Sequence, residues 1–507
     1  MPLAFTTALA ALSAIGPVAQ NPRLFWSFLG TAGALLVWDA ALVARASAGG
    51  RALMLEIVLR KQHYIQACVQ GSILLYWGWY WREVYHSAPL LVAQLLFAYA
   101  FDMLLVWSRR DTYMLGFGPF PVVFSINLFL WFKPDWFYLQ FVLIAVGFAA
   151  KELFRWTKDG RDAHIFNPSS FPLGVFALVL LLTGSTALTW GAEIATTQFY
   201  PPHIYLFIFL CGLTGQYLFG VATMTVSAAA TMYAFGLLYF WWTGVYYFFD
   251  TYIQIAVFIG MHLLFTDPAT APRTELGRII FGMLYATGVI VLYGILGNLH
   301  APTFYDKLLA VPLLNLMIRA IDRAARSPAV ARFDPGNLGR ALAPRRRHLV
   351  YMGMWAALFV VMSVTHAIGD TVPGHWVPFW QQACQERRPY ACSTLTLLDT
   401  RYCDAGSGWA CNEMGIFFSN SRNVASAREM FIRGCTGGFQ GACDNGRLLD
   451  RGSGPLRSAD PQMPDYEILL REGKGPLPPL SPHDIYARAC TQGWSAACAT
   501  ESAEPRR

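Results

Sequence analysis

Residues 265–297 read FTDPATAPRTELGRIIFGMLYATGVIVLYGILG and hold both features that decide the fold. The later part, 279–297, is an unbroken apolar run, long enough for a membrane-spanning helix of about 20 residues. The earlier part is a polar break in which Asp267 precedes Pro268. A residue before proline is pushed out of helical backbone, so the break frees backbone carbonyls. Apolar runs of this kind recur at 24–44, 64–82, 87–107, 117–133, 135–153, 171–190, 203–222, 225–246, 248–265, 279–297, 305–320 and 349–369. Those at 117–133 and 305–320 are short and carry Pro or charge, so half-helices or re-entrant segments are expected there.

The composition of the 507-residue chain agrees. Apolar residues make up 55% and charged residues 14%, which excludes a disordered, collagenous or coiled-coil chain and argues against a soluble enzyme. Trp77, Trp79, Trp81, Trp107, Trp131, Trp136, Trp190, Trp241 and Trp242 gather at run ends, where amphipathic rings favour a membrane interface. No nucleophile elbow, phosphate-binding loop, zinc-protease or haem-attachment motif is present, so no catalytic residue is assigned.

A second break, KDGRDAHIFNPSSF at 158–171, places Asn167 before Pro168. Irregular backbone at membrane depth is tolerated only against protein or a watery cavity. Two interrupted segments in separate halves point to the binding site of an inverted-repeat transporter. The plainer alternative is two interfacial turns that cap helices. Ionisable groups inside the runs include Asp39, Asp102, Asp250 and His262, of which Asp39 and Asp250 lie close enough to run ends to be interfacial. Such groups often mark pathways, and Asp102, apolar on both sides, is the best of them. His262 lies about one turn before Asp267 and could share a cavity with it, although a hydrogen-bonded core histidine is the commoner role.

Basic residues cluster at 45–61, at Arg109 and Arg110, at 151–161, at Arg273 and Arg278, and at 319–347, where Arg319, Arg323, Arg326, Arg332, Arg340, Arg345, Arg346 and Arg347 fall. Placing these in the cytoplasm makes every run alternate and sends the chain outward after 349–369. The net charge of +7 is then topogenic, and no nucleic-acid partner is expected. The expected divisions are an apolar N-terminal segment 1–23, a transmembrane domain 24–325, a basic cytoplasmic loop 326–348, a final helix 349–369 and an extracytoplasmic domain 370–507. Pro2 to Ala19 has no basic residue before it and makes a poor secretory signal; an extra helix or an interfacial segment fits as well.

Eight of the ten cysteines lie in the last division, as Cys384/Cys392, Cys403/Cys411, Cys435/Cys443 and Cys490/Cys498, each pair spaced C-x7-C. The first cysteine of a pair would end one helix and the second begin the next, so a disulfide would staple a helical hairpin. Zinc sites use shorter spacing and usually His, and His483 is the one histidine in the repeat region. Structural disulfides, and with them an oxidising compartment, are expected, and no metal. A Pro/Gly-rich stretch at 452–482 interrupts the series.

Residues 380–500 resemble the cysteine-rich Sel-one-like repeats, relatives of tetratricopeptide repeats, though the pairs start 19, 32 and 55 residues apart where the family runs at about 36. The resemblance implies an all-α repeat domain with a surface for a protein partner. A spacer without a ligand is the alternative.

Residues 115–325 resemble the Rnf-D/Nqr-B family of membrane proteins. The likeness rests on Asp267, Pro268, Thr270, Pro272, Gly277, Ile279, Ile280, Phe281, Gly282, Asn315 and Asp322, and upstream on Lys151, Phe166, Asn167 and Pro168. It implies a polytopic helical protein of two inverted repeats in a bacterial inner membrane, holding flavin within a sodium- or proton-coupled electron-transfer complex. The family's S/T-G-A-T attachment sequence is absent; LTGSTALTW at 182–190 has the residue types in the wrong order. Covalent FMN is therefore not expected, and a non-covalent FMN or riboflavin would take its place. The chain is similar to the divergent branch found beside enediyne biosynthesis clusters. The binding residues implied are Asn167, Pro168, Asp267, Pro268, Thr270 and Asn315, with His262 and Asp102 added from the span reading. The expected function is electron transfer or coupled ion transport, beside other redox subunits and with a periplasmic partner-binding domain. The alternatives are a non-redox transporter or channel and a membrane-anchored assembly scaffold.

Overall fold

The computed structural model describes residues 1–158, 160–338, 342–452, 454–471 and 480–503. Arg340, and residues 453 and 472–479 of the 452–482 stretch, lie outside the described residues. The chain is predominantly helical. Its described helices of nine residues or more are α1 Pro2–Ala11, α2 Pro22–Ala48, α3 Lys61–Tyr80, α4 Ala88–Trp107, α5 Pro119–Asn127, α6 Tyr138–Leu153, α7 Ser170–Leu182, α8 Ile204–Phe219, α9 Ala222–Thr243, α10 Ile255–Leu263, α11 Glu275–Asn298, α12 Asp306–Ala325 and α13 Pro344–Val364. They continue as α14 Val377–Gln385, α15 Ala391–Asp404, α16 Gly408–Asn420, α17 Val424–Thr436, α18 Gln440–Arg451, α19 Met463–Arg471, α20 Pro482–Thr491 and α21 Ser495–Ala503.

Five of these, α2, α4, α9, α11 and α13, are long and apolar enough to cross a membrane. Much of their apolar surface faces outward: in α13 only 17% of the most apolar stretch is buried, and Trp241 and Trp242 at the end of α9 are each 86% exposed. Outward apolar surface of this extent suits a bilayer.

Several expected spans are broken. The run 117–133 gives the nine-residue α5 followed by extended chain, as its prolines and charge suggested. The run 248–265 is not a spanning helix: its helical part is the nine-residue α10, and the chain before it bends through Phe248–Thr251. The run 171–190 is α-helical only to Leu182 and resumes as a single 3-10 turn at Thr186–Leu188. The physical reason is burial. All nine residues of α10 are buried, so its neighbours supply what lipid cannot to non-helical backbone.

The chain forms two compact units. The first comprises Met1–Gln198, His203–Ala234 and Ile253–Val361. Within it α4 packs on α1 and α6, α3 on α5 and α8, α10 on α8, and α12 on α7 and α11. Strands β1 Met54–Ile57 and β2 Thr112–Leu115 pair in parallel, and β3 Arg155–Lys158 and β4 Arg161–His164 form a hairpin.

The second unit comprises Phe199–Pro202, Phe235–Tyr252 and Met362–Arg507. Here α14 to α18, and then α19 to α21, pack in chain order. Disulfides join Cys384–Cys392 (α14 to α15), Cys403–Cys411 (α15 to α16), Cys435–Cys443 (α17 to α18) and Cys490–Cys498 (α20 to α21), with Cα atoms 4.6–4.7 Å apart. The uneven spacing has a structural reason. Between the first two bonds the chain builds one helix, α15, stapled at both ends; between the next two it builds α16 and α17. The interrupting stretch is tied back onto the helices. Asn445 Nδ2 donates to the Arg457 carbonyl (2.7 Å) and to Asn412 Oδ1 (2.8 Å), and Asp465 Oδ1 accepts from the Ser407 hydroxyl (2.9 Å).

Candidate functional site

The two polar breaks meet in the first unit. Asn167 caps α7: its side-chain oxygen accepts from the backbone N–H of Ser169 (2.8 Å) and Ser170 (2.9 Å), and short polar side chains favour this position. Its Nδ2 donates to the Leu264 carbonyl in the other break (3.1 Å), and its backbone N–H donates to Asn315 Oδ1 on α12 (3.0 Å). Two turns further along α12, Asp322 Oδ1 accepts from the Arg273 N–H (2.8 Å). A single helix thus holds both interruptions through two amide or carboxyl oxygens.

The Asn167-Pro168 turn also needs room. A Cβ on Gly147 of α6 would stand 2.3 Å from the Pro168 carbonyl oxygen, so glycine permits the approach. Likewise a Cβ on Gly174 of α7 would stand 2.7 Å from Pro312 of α12. Close backbone approach at small residues is the usual packing device between membrane helices.

Asp267 sits at the head of the short turn Pro268–Thr270. Its Oδ1 accepts from the Ala269 N–H (3.0 Å), and its Oδ2 lies 3.0 Å from His164 Nε2 and 3.3 Å from the Thr270 hydroxyl. The side chains of His164 and Asp267 are 18% and 21% exposed, so the pair is neither sealed nor freely solvated. His164 ends β4, and the hairpin is held against α12 by Arg319, which donates to the Thr157 carbonyl (2.7 Å) and covers the Trp156 ring (4.5 Å). His63 at the start of α3 feels the charges of Arg60, Lys151 and Asp267. Asn315 Nδ2 is buried with no hydrogen-bond partner among the described residues. The Asp267 carboxylate, the His164 imidazole and the Thr270 hydroxyl can hold a cation or pass a proton, whereas the unused Asn315 amide N–H can only donate a hydrogen bond.

Two expected residues stand apart. Asp102 accepts from the Tyr113 hydroxyl (3.1 Å) and lies 4.0 Å from Lys151 Nζ at the end of α6. It is a partnered, buried carboxylate and touches none of the Asn167/Asp267 residues in the hydrogen bonds above. His262 does not turn to Asp267. Its Nδ1 lies 2.8 Å from the Phe258 carbonyl, its ring packs on Trp355 (5.6 Å), and Gly212 of α8 leaves it space. Sequence reasoning missed His164. The signal was its place three residues before Asn167, which only a turn-and-strand geometry makes meaningful.

No family model matches the chain, and no match is found among curated proteins or solved structures.

Proposed function

We propose that the chain is a polytopic membrane subunit of two inverted repeats that couples ion movement to electron transfer, as the Rnf-D/Nqr-B resemblance implies, with the disulfide-stapled unit outside the cytoplasm as a partner-binding domain. The observation that carries this reading is the convergence of Asn167 and the 264–274 break on one helix through Asn315 and Asp322. In the helix order below, Asp267-Pro268 corresponds to Lys133-Pro134 and not to Asn167-Pro168, so what supports a transport reading is the meeting of two breaks on one helix, not their equivalence in a repeat.

The helix order supports the repeat. Four elements recur after 134 to 137 residues: Ala88 and Ala222 begin α4 and α9, Pro119 and Ile255 begin α5 and α10, Tyr138 and Glu275 begin α6 and α11, and Ser170 and Asp306 begin α7 and α12. The second member of each set, α5 or α10, has nine residues, and a short Pro-led turn follows it, Pro134–Trp136 or Pro268–Thr270. The tripeptide Tyr-Ala-Phe stands at 99–101 and again at 233–235. The corresponding helices α7 and α12 pack together.

A flavin ring does not fit the aromatic cavity walled by Trp131, Trp190 and Phe132: its free volume is about 20 Å³, room for a water, and the amides of Gln94 and Asn127 beneath it are already bonded to each other (Asn127 Nδ2 to Gln94 Oε1, 2.7 Å) and to Gln140.

The test is ion uptake by proteoliposomes holding the full chain, with and without an electron donor. Donor-dependent uptake that Asp267→Asn abolishes supports the reading. Uptake that is donor-independent moves it to a plain transporter, and uptake unaffected by Asp267→Asn removes the site.

A further inference from the structure

Asp306 and Lys307 open α12, at the end opposite Arg319 and Arg323, and neither belongs to the Asn167/Asp267 junction. Both are sealed: the Asp306 side chain is 0% exposed and that of Lys307 3%. Asp306 Oδ1 accepts from the Lys307 backbone N–H (2.6 Å) and faces Lys307 Nζ at 3.4 Å. Asp306 Oδ2 is buried with no hydrogen-bond partner among the described residues. The Tyr285 hydroxyl of α11, also buried and with no hydrogen-bond partner among the described residues, stands 2.8 Å from where a Cβ on Gly260 of α10 would be.

A charged carboxylate buried with half of its hydrogen-bonding capacity unused is a costly arrangement for structure alone. Ionisable groups in this setting mark ion or proton paths.

The ligand follows from the chemistry on each oxygen. The ammonium of Lys307 already occupies the cation position at Oδ1, so a metal ion at Oδ2 would share the carboxylate with a full positive charge. No set of three metal-ligating His, Cys, Asp or Glu side chains occurs among the described residues. A proton needs only the one free lone pair that Oδ2 offers.

We propose that Asp306 is a proton-binding site, at which Oδ2 takes up a proton and returns it. In that step one O–H bond forms on Asp306 as one breaks in hydronium, and the Asp306–Lys307 attraction weakens. The other titratable groups on the elements packed against α12 are Tyr285, Tyr293, Glu275 and Arg278 on α11, His262 on α10 and Tyr305 in the preceding turn; α7 carries none. The charge that acts on Asp306 is that of Lys307. This inference rests on the ion-coupled reading above only for its purpose; the site itself is tested without flux or electron donor.

The experiment is infrared difference spectroscopy of the full chain in lipid, titrated from acid to mildly alkaline pH in H2O and D2O. The expected result is a protonated-carboxyl band that shifts in D2O, is missing in Asp306→Asn and titrates at higher pH in Lys307→Gln, because the removed ammonium favoured the carboxylate. Asp306→Glu keeps the carboxyl and should move the band, which covers a failure of Asp306→Asn to fold. Identical spectra for wild type, Asp306→Asn and Asp306→Glu, or a titration indifferent to Lys307→Gln, would overturn the proposal and leave the flux measurements above unaffected.

Discussion

Asn167→Ala should damage the junction more than its single side chain suggests. The side-chain oxygen caps two N–H groups of α7, and the side-chain nitrogen satisfies the Leu264 carbonyl. Loss of a cap costs about 1 kcal/mol, and a buried carbonyl left without its donor costs about 1–3 kcal/mol. Together these give roughly 2–4 kcal/mol, an apparent melting shift of roughly 3–6 °C for a unit of this size. Asn167→Asp separates the two parts. It still caps α7, with the helix dipole in its favour, but it turns an oxygen instead of a donor toward Leu264. It should therefore keep the helix start and lose the tie. The assay is the melting temperature of the purified full chain in detergent, read beside ion uptake. Melting of Asn167→Ala within about 1 °C of wild type, or full uptake in both variants, would refute the reasoning, since these hydrogen bonds would then contribute nothing measurable.

Removing one staple, for instance with Cys435→Ser and Cys443→Ser together, should cost about 2.5 kcal/mol for a loop of this length; the sequence separation is 8 for all four bonds. Thermal unfolding of the second unit under non-reducing conditions measures it, and an unchanged transition would count against a constraining role. Burial pushes the Asp399 carboxyl well above the usual carboxylate range, with the charge of Glu413 adding to it, and burial likewise raises Glu413. Both groups bind a proton more tightly folded than unfolded, so their contribution is fully present below the unfolded values of about 4 and is lost as pH rises through the folded ones. Melting of the second unit should thus fall with rising pH, and Asp399→Asn should flatten the fall; equal slopes in the two proteins would contradict it. Gly147→Ala should cost about 1–3 kcal/mol, because the new Cβ meets the Pro168 backbone, which cannot swing aside as a side chain would. Gly215→Ala, with nothing within 4 Å, should be neutral or stabilising, and equal melting of the two variants would undo the packing argument.

The disulfide hairpins were legible because covalent chemistry ties spacing to geometry: seven residues between cysteines leave room for a turn and two helix ends. Asn167 and Asp267 were legible because a polar residue before proline interrupts an apolar run on either reading of the membrane. What joins them was not. Asn315 lies 148 residues from the break it holds and Asp322 lies 49, and only packing reveals that their oxygens meet two backbone N–H groups. The run 248–265 misled because chain buried in protein is as apolar as chain in lipid, so hydrophobicity alone does not separate α10 from a spanning helix. Asp306 and Lys307 escaped notice because adjacent opposite charges usually mark a solvated surface; here both are buried.

The central claim, that the chain is the membrane subunit of an ion-coupled electron-transfer system, meets its most direct test in the visible absorption and flavin fluorescence of the full chain after gentle detergent purification. The account predicts a redox-active, non-covalent chromophore, released on denaturation. A colourless protein that folds normally and still moves ions without a donor would contradict it.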